Sequence, residues 1–192
     1  MIIGCLGDSI TAGSPLWDPD DAVRAKIDRP DERSQWVWWA MRMHGDLDLR
    51  NHGVYGERTD EIAKRFDAAV AGAEALVVQG GINDVVQGRP VEQAAANLAG
   101  MVHRARNAGL RVALANVLPW NNGDAGAANE IARLNELIKA IADNVGVPLF
   151  PFNETLADAS RPSRMREDLT DDGDHPSVEG HRLLGERAFR PF

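Results

Sequence analysis

A serine and a histidine stand at opposite ends of this chain, each beside a turn rich in small or acidic residues. Ser9 lies in Gly7-Asp8-Ser9-Ile10-Thr11, directly after the apolar run Ile2-Ile3-Gly4-Cys5-Leu6. His175 lies in Asp171-Asp172-Gly173-Asp174-His175-Pro176. A serine hydroxyl is a weak nucleophile near neutral pH until a base takes its proton. An imidazole, titrating near ~6.5, suits that task. A carboxylate on its other ring nitrogen would fix the tautomer and stabilise the imidazolium. Asp172 is close enough on a tight loop to reach the ring. Asp171 and Asp174 lie nearby, and spacing alone leaves the choice among the three open. Acyl transfer also needs donors aimed at a tetrahedral oxygen. The backbone N–H of Ser9 and of Gly56, and the side-chain amide of Asn83, are candidates; glycine lets the chain approach a ligand closely.

These groups need elements that carry them to one place. Strand signals alternate with helical ones, the pattern of an α/β fold with a parallel sheet. Strands are expected at 2–6, 47–50, 75–79, 111–115 and 147–150. Helices are expected at 35–44, where Ser34 can cap and Gly45 can end the run, and at 59–71. Others are expected from Pro90 to Gly109, over 127–144, and over 178–189 with Ser177 as the N-cap. Residues 51–56 read as a turn, and 153–173 as a long connection. In open α/β sheets ligands sit at the carboxyl ends of the strands. The turns after the first three strands carry Ser9, Gly56 and Asn83, so they are expected to meet at that edge.

The bulk numbers agree with a soluble globular domain. At 192 residues the chain favours one domain, 1–192. Its 44% hydrophobic and 26% charged residues are ordinary for a globular protein. A formal net charge of -8 argues against nucleic acid and anionic membrane surfaces as partners. The one cysteine, Cys5, sits in the first strand and reads as a small buried hydrophobe. No stretch approaches the roughly 20 apolar residues that cross a bilayer. No basic, apolar leader precedes the first strand, so the expected location is cytoplasmic. His44, His52, His103 and His181 read as surface or helix-packing residues.

Four blocks then stand in order: Gly7-Asp8-Ser9 with Ile10-Thr11, Asn51-x-Gly53-x-x-Gly56, Gly81-x-Asn83-Asp84, and Asp172-x-x-His175-Pro176. Together they resemble the four blocks of the SGNH (GDSL) hydrolase family of serine esterases and lipases, and they span nearly the whole chain. The resemblance implies a flavodoxin-like three-layer α/β/α sandwich with a five-stranded parallel sheet. It implies Ser9 as nucleophile, Asp172 and His175 as the rest of a triad, and Ser9, Gly56 and Asn83 as the oxyanion hole. It gives Asp8 the task of shaping the turn under the nucleophile. It implies no metal and no cofactor.

The expected substrate is a small-molecule ester, cleaved through an acyl-enzyme by a broad small-ester, lysophospholipase-like or arylesterase-like activity. A carbohydrate acetyl esterase is the alternative within that class, and a non-catalytic sugar- or acyl-binding module is the alternative outside it. Residues 14–33, rich in Pro and Asp with Trp17 among them, form a candidate lid or substrate loop. Trp17, Trp120 and Asn121 are candidate substrate contacts.

Overall fold

Short runs with no polar alternation need cover on both faces, and the computed structural model, which describes residues 1–192, provides it. In chain order the elements are β1 (Ile2–Gly7), α1 (Ser9–Ala12), α2 (Asp21–Arg24), α3 (Trp36–Met43) and β2 (Asp48–Gly53). Then come α4 (Thr59–Ile62), α5 (Phe66–Val70), β3 (Ala75–Val78), α6 (Ile82–Val86), α7 (Val91–Asn107) and β4 (Arg111–Ala115). The last are α8 (Ala125–Val145), β5 (Leu149–Phe150), α9 (Phe152–Leu156), β6 (Ala157–Asp158), β7 (Arg161–Met165) and α10 (Val178–Leu183).

β1 to β5 form one all-parallel sheet in the order β2-β1-β3-β4-β5, the doubly wound flavodoxin-like arrangement. Strand period two divides the core. Ile3, Cys5, Ala75, Val77, Ala113 and Ala115 face a cluster with Trp36, Phe150, Phe152 and Phe189. Leu6, Leu76, Val78, Val112 and Leu114 face the other, with Ile62, Phe66, Leu98, Met101, Leu134 and Ile138. The result is a three-layer α/β/α sandwich. No helix is long and apolar enough to cross a membrane.

Several boundaries differ from expectation for identifiable reasons. β2 runs on to Gly53 instead of turning at Asn51, because parallel pairing with β1 continues through Leu6↔His52 and Gly7↔Gly53. Gly53 is needed there: a Cβ would lie 2.0 Å from the Ala12 amide nitrogen, so only glycine lets β2 close against α1. Ser34 does not cap α3. It ends a 3₁₀ turn over Glu32–Ser34, and Gln35 takes the N-cap position without a side-chain bond. The helix expected over 59–71 is broken into α4, a 3₁₀ turn at Ala63–Arg65, and α5. The connection 153–173 contains α9, the antiparallel β6–β7 hairpin and a further 3₁₀ turn at Glu167–Leu169. The final helical run turns from α10 into a π-helical segment at Leu184–Ala188.

Candidate functional site

β1 delivers Ser9 to the carboxyl edge of the sheet. Asp8 follows the strand and caps α1, its Oδ1 accepting from the Ile10 amide at 3.0 Å. Its other oxygen, Oδ2, is buried with no partner, and burial pushes its pKa up to about 6. Ser9 follows as the first residue of α1 and is 4% exposed.

A cleft of about 140 Å³ opens beside it. Its polar walls are Ser9, Asn83, Asp174 and His175, and its apolar walls are Ile10, Tyr55, Ile82, Val86 and Trp120. The structure thus brings Ser9, Asn83 and His175, from three distant stretches, into one depression.

His175 is held from both sides. Asp172 Oδ2 lies 2.8 Å from His175 Nδ1, while Asp172 Oδ1 accepts from the His175 amide at 2.7 Å and the Asp174 amide at 2.8 Å. Burial alone would raise the Asp172 pKa. The bonds from the His175 ring and these amides outweigh it and hold the carboxyl below its usual range. Of the three nearby aspartates, Asp172 is therefore the ring's partner. Asp174 faces the cleft instead, where its Oδ1 accepts from Trp120 Nε1 at 2.6 Å and Asn122 Nδ2 at 2.7 Å. Asn122 Nδ2 also reaches the Asp172 carbonyl at 2.9 Å, and the Asn121 amide donates to the Gly173 carbonyl at 3.0 Å. Residues 120–122 thus clamp the 172–175 loop. His181 is fully buried; burial chiefly, and proximity to the His175 ring second, push its pKa down to about 3 and keep it neutral.

Gly56 follows Tyr55 in the turn after β2, with φ 78°, a conformation natural to glycine. Its N–H donates to no acceptor of the protein. The turn is fixed to the Asn83 segment twice. Asn83 Nδ2 donates to the Glu57 carbonyl at 3.0 Å, using one of its two amide hydrogens. Asp84, 3% exposed, accepts from the Thr59 amide and the Thr59 hydroxyl, each at 2.9 Å.

Two of the candidate substrate contacts lie elsewhere. Asn121 uses its amide on the Met165 backbone, donating to the carbonyl at 3.1 Å and accepting from the N–H at 2.7 Å. Trp17 lies under the Arg24 guanidinium, 4.6 Å from its ring centroid, and no residue of 14–33 lines the cleft. Sequence reasoning missed Tyr55, Ile82 and Val86. The available signal was their position: Tyr55 adjoins Gly56, and Ile82 and Val86, spaced i to i+4 around Asn83, share one helix face.

A family model, GDSL-like Lipase/Acylhydrolase family, matches residues 5–183. No curated protein sequence matches the chain. Among solved structures, a G-D-S-L family protein from Desulfitobacterium hafniense DCB-2 superposes with a TM-score of 0.79 at 23% identity, over 96% of this chain and 95% of that one. TesA does so at 0.75 and 23%, over 97% and 94%. The psychrotrophic esterase EstA from Pseudoalteromonas sp. does so at 0.71 and 20%, over 96% and 90%. At these identities the superpositions establish the fold. The chain belongs to the GDSL-like lipase/acylhydrolase family and is a hydrolase acting on ester bonds.

Proposed function

We propose that the chain is a serine esterase for small acyl esters with uncharged leaving groups. Ser9 Oγ attacks the ester carbonyl as His175 Nε2 takes its proton. The C–O bond to the alcohol breaks, and His175 returns the proton to that alcohol. Water, deprotonated by His175, then attacks the acyl carbon; the bond to Ser9 Oγ breaks, the acid leaves, and His175 returns the proton to Ser9 Oγ. Asp172 holds the ring and stabilises its charged form. The N–H groups of Ser9 and Gly56 and the remaining Asn83 amide hydrogen stabilise the tetrahedral oxyanion. One observation carries this reading: Ser9, Asn83 and His175 wall the same cleft while Asp172 lies 2.8 Å from the far ring nitrogen.

Cavity size and charge support the substrate class. The cleft, about 140 Å³, is well below the ~300 Å³ at which drug-sized sites begin. A neighbouring cavity of about 460 Å³ shares Val86 and Trp120 with it, and adds Val85, Ala127, Asp124 and Glu130. Neither is lined by Lys or Arg, while Asp174, Asp124 and Glu130 are acidic. Such walls favour an uncharged leaving group over a phosphate-bearing one. The carbohydrate reading loses the Asn121 amide, which the β7 backbone occupies.

Chromogenic esters of graded acyl length test the assignment. Turnover is expected to be highest for the shortest chains, and Ser9→Ala to lower kcat at least ~10³-fold. A Ser9→Ala variant with full turnover would rule out the nucleophile.

A further inference from the structure

Arg65 lies at the end of the 3₁₀ turn between α4 and α5, outside the cleft and outside the four sequence blocks. Its side chain is three-quarters buried, 26% exposed. Nη2 donates to the Gly7 carbonyl at 3.0 Å, and Nη1 to the His52 carbonyl at 2.7 Å. Nε donates to Glu57 Oε2 at 2.8 Å, and Nη2 lies 2.6 Å from the same oxygen. One planar group thus joins the last residue of β1, the penultimate residue of β2, and the residue after Gly56. Glu57 extends the chain of bonds, because its carbonyl accepts from Asn83 Nδ2.

We propose that Arg65 is the positioning residue of the oxyanion hole. It touches none of the three donors. It holds the backbone beside each: Gly7 ahead of Ser9, Glu57 behind Gly56, and through Glu57 the amide of Asn83. Its fork geometry matters, since a single ammonium cannot satisfy two carbonyls and a carboxylate arranged around a plane. A displacement of about 1 Å at such a site can cost roughly 10² in rate.

This rests on the esterase reading above, and the experiment separates the two. On a short chromogenic ester, Arg65→Met is expected to lower kcat 10- to 100-fold while KM stays within about threefold. Arg65→Lys should recover part of the loss, and a double-mutant cycle should show coupling. The Arg65→Met/Asn83→Ala loss is expected to fall well short of the product of the single losses, because both act on one donor set. Folded fraction is measured alongside by circular dichroism. If Arg65→Met fails to fold, Glu57→Gln replaces it, with an expected several-fold fall in kcat at unchanged KM. An unchanged kcat, a loss confined to KM, a loss matched by the unfolded fraction, or losses that simply multiply would each overturn the proposal. A fully active Ser9→Ala would instead overturn the esterase reading.

Discussion

Asp8 shows how one residue can serve two ends that conflict. Its carboxylate caps α1 through the Ile10 amide and so shapes the turn that presents Ser9. The same carboxylate is fully buried with an oxygen that has no partner, and burial pushes its pKa up to about 6. In the unfolded chain an aspartate titrates near ~3.9. The folded protein therefore holds the proton more tightly, and stability falls as pH rises from about 4 through about 6. Asp8→Asn keeps the acceptor for Ile10 and removes the charge. Its amide is still buried, which offsets part of the gain. The variant is expected to raise Tm by ~2–4 °C at pH 8, equivalent to about 1 kcal/mol, and by less at pH 4. A thermal melt at both pH values decides it; a gain equal at both, or none at pH 8, contradicts the assignment. Around Ser9 and His175 the residue types were legible because their chemistry restricts them to few kinds. Arg65 was not, since an arginine in a helical run reads as a solvated charge until the carbonyls around it are known.

At the scale of elements, strands buried on both faces were the easiest to read. β4 spans the 111–115 expected of it, and β1 and β3 differ from expectation by one residue. β2 was underestimated because Asn51 and His52 are drawn into the sheet by pairing with β1, a long-range effect that local pattern does not carry. The hairpin β6–β7 was missed because most of β7 is exposed and polar, without the alternation that marks a strand. The turn from Tyr55 to Thr59 owes its place to its neighbours. Thr59 is tied to Asp84 by two bonds to one carboxylate, and burial raises the Asp84 pKa against them. Asp84→Ala is expected to cost roughly 2–3 kcal/mol, seen as a Tm lower by ~5–10 °C, and to lower kcat as the turn loosens. A Tm within 1 °C of the parent's would show that Asp84 does not anchor the turn.

The whole molecule solves a problem of distance along the chain. The order β2-β1-β3-β4-β5 sets the ends of β2, β1 and β3 side by side, so the turns bearing Gly56, Ser9 and Asn83 become neighbours. His175 arrives by a different route. The 172–175 loop crosses the edge just ahead of α10, clamped by Trp120, Asn121 and Asn122, and the segment after α10 packs its Phe189 ring 6.0 Å from that of Trp36 in α3. The sheet edge was legible in the strand-end turns, whereas the clamp was not, because Asn122 and Trp120 carry no periodic signal. The convergence itself is tested by labelling the protein with an organophosphonate and mapping the adduct by peptide mass spectrometry. A single adduct on Ser9 is expected, formed at least ~10²-fold more slowly when His175 is replaced by alanine. An adduct on any other residue, or labelling of Ser9 at the same rate without the His175 ring, would contradict the account.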